Sequence, residues 1–201
     1  MRQLGSVSSL LRGHLRAGNN QLPRPRTAGT VAVMKWGALL LFAVGLGAGC
    51  SSASGRVAKL YGGADAMRTL QTPDKVEVFR IAHEIRVKPG TPTTGKLHRW
   101  PILAGPSPVA ADAARRLADI LRRDIYEWNS AKGCKIMPGV AVRFTRGGMQ
   151  LDVVFCFECD ILVTYFNGRE IGSEDFDRAH RALAAVAKEL LPNDAEIQKL
   201  E

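Results

Sequence analysis

The sequence predicts an α+β domain: an antiparallel β-sheet of about four strands with two main helices packed on one face. Three observations predict it. Two apolar strands alternate with period two on either side of Gly147-Gly148 and run into Cys156-Phe157-Glu158-Cys159. Two stretches, about 107–128 and 174–191, repeat apolar residues at helical spacing. The order of the elements is strand, long helix, three strands, helix.

The hairpin can be registered by hand. A two-residue Gly-Gly turn sets Arg146 opposite Met149, so that Val140, Val142 and Phe144 face Phe155, Val153 and Leu151. All six apolar side chains then share one face, and Arg143 meets Asp152 on the other. A slip of one residue would pair apolar with polar positions throughout. The same count carried upstream brings Cys134 close to Cys159. A further strand is expected over Ile161 to Phe166, ending at the turn signal Asn167-Gly168.

The remaining elements follow the same logic. Ala64 to Gln71 reads as a short helix stopped before Thr72-Pro73, and Lys75 to Ile81 reads as a strand. Lys88 to Gly95 is a Pro/Gly-rich loop, and Trp100 to Leu103 is extended. Ser107 caps the first long helix with Pro108 at its first position, and Ala114, Leu117, Ala118, Leu121, Ile125 and Trp128 form its apolar face. Arg115, Arg116, Arg122 and Arg123 lie mostly opposite, as a solvated face. The second helix takes Ser173 as cap, Glu174 and Asp175 in its first turn, and Phe176, Ala179, Leu183, Val186 and Leu190 as its buried face. Pro192 ends it, and Asn193 or Asp194 caps a terminal turn.

Composition bounds the class. The 201 residues are 46% hydrophobic and 23% charged, which suits one domain plus appendages. The formal charge of +9 is concentrated upstream: every acidic residue follows Cys50, and 22 basic against 19 acidic residues leave +3 from residue 51 onward. No basic stripe with interleaved aromatics appears, so no nucleic-acid partner is expected.

The N-terminus carries an address. Met34-Lys35 opens a basic segment, Trp36 to Leu46 is apolar, and Gly47-Ala48-Gly49 leads to Cys50. About 14 apolar residues fall short of the roughly 20 that span a bilayer. The stretch resembles a bacterial lipoprotein signal peptide, with Leu46 to Cys50 in the lipobox. That resemblance implies cleavage before Cys50, a diacylglyceryl group on its thiol, and a membrane-anchored, extracytoplasmic protein. Ser51 in place of aspartate further implies the periplasmic side of the outer membrane in a two-membrane bacterium. The organisation expected is an upstream extension over 1–33, a signal peptide over 34–49, a lipidated cysteine and flexible tether over 50–60, and one domain over 61–201.

Within that domain Cys134, Pro138, Gly139, Arg143, Asp152, Val153, Cys156, Phe157, Cys159 and Asp160 form the pattern C…PG…R…DV..CF.CD. It resembles a group of uncharacterised bacterial lipoproteins and small secreted proteins. The resemblance implies the domain boundary and the linkage of the three cysteines, and no activity.

With Cys50 lipidated, Cys134, Cys156 and Cys159 remain in an oxidising compartment. The register makes Cys134–Cys159 the expected bridge, with Cys156 a buried thiol; a Cys156–Cys159 bridge is the alternative. A thioredoxin-like site would place its CxxC at a helix N-terminus, whereas here a strand follows and Glu158 and Asp160 add negative charge. Haem attachment would need histidine at residue 160. Three thiolates could hold zinc only with a fourth ligand, for which His83, His98 and His180 are the mature-chain histidines. None has a telling spacing, and no cofactor is implied. GxSxG, HExxH, P-loop and GxGxxG motifs are missing. The expectation is a binding or structural protein of the cell envelope, without catalytic turnover, whose partner is an envelope protein or glycan meeting the face of Arg143, Asp152 and Thr164. The alternative is a thiol-redox or metal-binding protein using Cys134, Cys156 and Cys159.

Overall fold

A computed structural model describes residues 53–201. Cys50 and the expected signal segment lie outside them. Four helices and seven strands follow in the order α1 (Ala53–Tyr61), α2 (Ala64–Gln71), β1 (Lys75–Ile81), β2 (Lys96–Leu97), β3 (Trp100–Pro108), α3 (Ala111–Leu121), β4 (Val140–Arg146), β5 (Met149–Cys156), β6 (Ile161–Phe166), β7 (Arg169–Asp175) and α4 (His180–Leu190). Single 3-10 turns at Asp177–Ala179 and Ile197–Lys199 flank α4. The α+β class holds. The sheet has seven antiparallel strands, in the order β2-β3-β1-β4-β5-β6-β7, and curls into a half-barrel where about four strands were expected.

The central hairpin has the register read from the sequence: Arg146 pairs Met149, Arg143 pairs Asp152 and Val140 pairs Phe155. Gly147 and Gly148, at φ +54° and +82°, supply the left-handed turn that lets these strands meet. Val140, Val142, Phe144, Leu151, Val153 and Phe155 pack into the main core with residues of all four helices, so the helices do cover one face. Burying these apolar side chains contributes about 1.5–3 kcal/mol each before chain entropy is subtracted.

The extra strands come from segments read otherwise. Trp100–Pro108 is one long strand, in which Ser107 pairs Val78, so Ser107 is no helix cap and α3 starts later, at Ala111. Ala114, Leu117, Ala118 and Leu121 are buried as expected, while Ile125 and Trp128 lie beyond the helix end. Arg169–Asp175 pairs with β6 through the Asn167-Gly168 turn, so Ser173, Glu174 and Asp175 belong to a strand and α4 begins only at His180. At the N-terminal side, residues 53–60 of the expected tether, together with Tyr61, form α1, which buries Val57, Leu60 and Tyr61 at i, i+3 and i+4. Tyr126 donates to the Leu121 carbonyl at 2.7 Å and sits 2.6 Å from the Tyr61 hydroxyl, tying α1 to the chain after α3.

The sheet's other face carries a smaller core. Phe79, Ile81, Ala141, Val154, Val163 and Tyr165 pack there with Leu97, Trp100 and Ile102 from the β2–β3 hairpin. Among the described residues no helix is long and apolar enough to cross a membrane.

Candidate functional site: three cysteines at one hairpin end

Strand β5 ends at Cys156, which pairs with Ile161 at the start of β6. The four residues between them close the hairpin with Asp160 at φ +53°, a left-handed position that Asp tolerates better than most residues. This tight turn brings Cys159 back beside Cys156. The segment joining α3 to β4 runs over the same end, and Cys134 in it is disulfide-bonded to Cys159, with Cα atoms 6.1 Å apart and a sequence separation of 25. The bridge expected from the register is therefore present.

Lys132 fastens the same segment a second time. Its Nζ donates to the Cys159 carbonyl at 2.8 Å and pairs with Asp175 at 2.9 Å and Asp177 at 2.7 Å. Burial pulls the Lys132 pKa down, but the two carboxylates outweigh it and the net shift is upward. Ser130 donates to Asp175 at 2.9 Å. A polar hollow of about 240 Å³ lies against the bridge, with Ser130, Lys132, Cys134 and Glu174 in its wall.

Cys156 is fully buried and is the one free cysteine among the described residues. The Met137 backbone N–H donates to its sulfur at 3.3 Å. Burial pushes the thiol up, although N–H groups of Met137, Cys159 and Glu158 pull the other way. Such a thiol is a weak nucleophile near neutral pH and is shielded from dissolved reagents.

The histidines weighed as a fourth metal ligand are engaged elsewhere. His83 sits 2.6 Å from Glu196 and 3.2 Å from the Met137 carbonyl, His98 sits 2.7 Å from Asp152, and His180 contacts Asp160 and the Glu201 carbonyl. Among the described residues no three His, Cys, Asp or Glu side chains are grouped to hold a metal ion. The geometry gives the metal reading no support.

The expected partner face needs correction on two counts. Thr164 pairs with Val153 and not with Asp152, so it shares the helix-covered face, where its hydroxyl donates to the Leu60 carbonyl at 2.6 Å. Asp152 is only 2% exposed, because the β2–β3 hairpin folds over it. It accepts from Arg143 Nε at 2.7 Å and Nη2 at 2.9 Å and holds His98, whose ring stacks on Tyr165 with centroids 3.7 Å apart. Sequence reasoning weighed His98 only as a metal ligand and missed its contact with Asp152. Its neighbours Leu97 and Trp100 were the available signal that this turn is anchored to a core.

A cleft of about 400 Å³ opens between α2 and α3. Leu70, Val76, Val109, Ala114 and Ala118 line it, and Arg115 stands at its edge. Arg116 pairs with Asp112 and Glu189, and Arg122 pairs with Asp119, but Arg115 has no ion-pair partner among the described residues.

No family profile, curated protein or solved structure matches this chain.

Proposed function

We propose that this chain is a lipid-anchored domain of the bacterial cell envelope that acts by binding a partner. The observation that carries the reading is the Cys134–Cys159 bridge. Such bridges persist in oxidising compartments outside the cytoplasm. That is where a Met34-to-Cys50 signal of the lipoprotein kind would deliver the domain. Because α1 starts at Ala53, a lipid on Cys50 would hold the first helix within about 11 Å of the anchor, close against the membrane surface.

The surface offered to a partner is the α2–α3 cleft, whose apolar lining and Arg115, without an ion-pair partner among the described residues, suit an envelope protein presenting an apolar side chain beside a carboxylate. The cleft replaces the Arg143 and Asp152 face, which is covered. Labelled palmitate fed to a bacterial host should enter the wild type and bring it to the membrane fraction, and Cys50→Ala should abolish both. A photo-crosslinker at Gln71, on the cleft wall, should capture a partner in intact cells. Arg115→Glu should abolish that capture, and equal capture would remove the cleft from the account.

A second reading, a thiol-redox protein using Cys134, Cys156 and Cys159, is favoured by one observation: a free thiol beside a disulfide. It requires reductase activity towards a protein disulfide that is lost in Cys156→Ser.

A further inference from the structure

We infer that Cys156, Cys159 and Cys134 form an internal thiol–disulfide exchange site, in which buried Cys156 displaces exposed Cys134 from the bridge and leaves Cys134 open to modification by a low-molecular-weight disulfide. The inference does not depend on whether Cys50 is lipidated.

The geometry carries it. Cys156 ends β5 and Cys159 is the third of the four turn residues that follow it, so the free thiol and the inner half of the bridge belong to one tight turn. The bridged side is equally close: the Lys135 carbonyl lies 3.4 Å from Cys159 Sγ, and two residues on the Met137 N–H lies 3.3 Å from Cys156 Sγ. One backbone segment, Lys135 to Met137, thus touches both the buried thiol and the buried inner sulfur of the disulfide, while Cys134 forms the outer end and is exposed.

The exchange balances without an oxidant. Cys156 releases its proton to water and its thiolate attacks Cys159 Sγ. The Cys134–Cys159 bond breaks, its electron pair leaves on Cys134 Sγ, and a Cys156–Cys159 bond forms. One disulfide and one thiol exist before and after. A hydrated sulfur leaves more readily than a buried one, so the exposed end is the favoured leaving group. The Cys134 thiolate then attacks one sulfur of a small disulfide, forms a mixed disulfide and releases the other half as a thiolate. The loop loses its covalent tie but keeps the Lys132 contacts with Asp175 and Asp177. Exposed reactivity is gained with no net redox change in the first step, and the slow gate is the deprotonation of Cys156.

The test uses the full chain with Cys50→Ser, so that every remaining thiol belongs to the site. The native protein is incubated with oxidised glutathione between about pH 7 and pH 9, quenched in acid and mapped as peptides. Glutathione is expected on Cys134, together with a linked Cys156–Cys159 peptide, at a rate rising about tenfold per pH unit while Cys156 is mostly protonated. Adding Cys156→Ser should abolish the adduct. Adding Cys134→Ser in its place should give a Cys156–Cys159 bridge under the same oxidant. An adduct on Cys156 with the Cys134–Cys159 bridge intact, no adduct at any pH, an undiminished Cys134 adduct without Cys156, or two free thiols in the Cys134→Ser protein would each overturn the inference.

Discussion

Asp152 holds His98 at 2.7 Å across 54 residues of sequence, and the contact joins the tip of the β2–β3 hairpin to the middle of the sheet. The same carboxylate accepts from two guanidinium nitrogens of Arg143, Nε and Nη2, on the neighbouring strand. Burial by itself raises the pKa of Asp152, but hydrogen bonds from Arg143 and His98 outweigh burial and leave the group below the ordinary carboxylate range. A depressed folded-state pKa contributes stability that is present above the unfolded value, near 3.9, and is lost as pH falls through the folded value. Thermal melts should therefore show an acid-side loss below about pH 4 that shrinks in Asp152→Asn. That variant should cost about 3 kcal/mol near neutral pH, since it leaves a partly buried guanidinium without its counter-charge.

The bridge is a separate source of stability. Cys134→Ser should lower the unfolding free energy by about 3 kcal/mol, through the freedom regained by the denatured chain. Hydrogen exchange should quicken in residues 122–139 and change little in β4 and β5. Equal quickening in the strands would mean that the bridge supports the core and not the loop.

Arg80 ties the C-terminal segment to the sheet. Its side chain is 6% exposed, donates to Asp194 at 2.8 Å, contacts Glu196, and reaches the Ile81 and Gly139 carbonyls at 2.7 and 2.9 Å. Asp194 also accepts the Glu196 and Ile197 backbone N–H groups, as the expected cap of the terminal turn. Burial raises its pKa, but the Ile197 N–H and Arg80 together outweigh burial, for a net downward shift. Asp194→Ala should cost about 2 kcal/mol by chemical denaturation, and residues 194–201 should lose exchange protection first. A variant as stable as wild type would show that Arg80 is satisfied by the carbonyls and Glu196.

How much of this was legible can be argued from particular residues. The Gly147-Gly148 turn fixed one register, and that register alone led to the Cys134–Cys159 bridge. Strand β1, strand β6 and helix α2 kept their expected ends because their breakers, Thr72-Pro73 and Asn167-Gly168, lie directly beside them. Strand β7 was hidden because Arg-Glu-Ile-Gly-Ser-Glu-Asp is an edge strand with little apolar alternation, and acids at its end imitate a helix start. Helix α1 was hidden by a Ser/Ala/Gly opening that reads as a spacer while tertiary contacts bury Val57, Leu60 and Tyr61. The pairing of Asp152 with His98 depends on a hairpin folding over the sheet; Leu97 and Trp100 signal that the turn is anchored, but no local pattern says against which strand. Thr164 was placed on the wrong face because the turn after Cys156 sets the β5–β6 register, which the β4–β5 count does not supply.

The most direct measurement is mass spectrometry of the protein recovered from bacterial membranes, acid-quenched and digested without reduction. The expected result is an N-terminal peptide starting at Cys50 and carrying a diacylglyceryl mass, a linked Cys134–Cys159 peptide, and Cys156 alkylated only after unfolding. An unmodified Cys50 within an uncleaved N-terminus, or cysteines recovered wholly as thiols, would contradict the account.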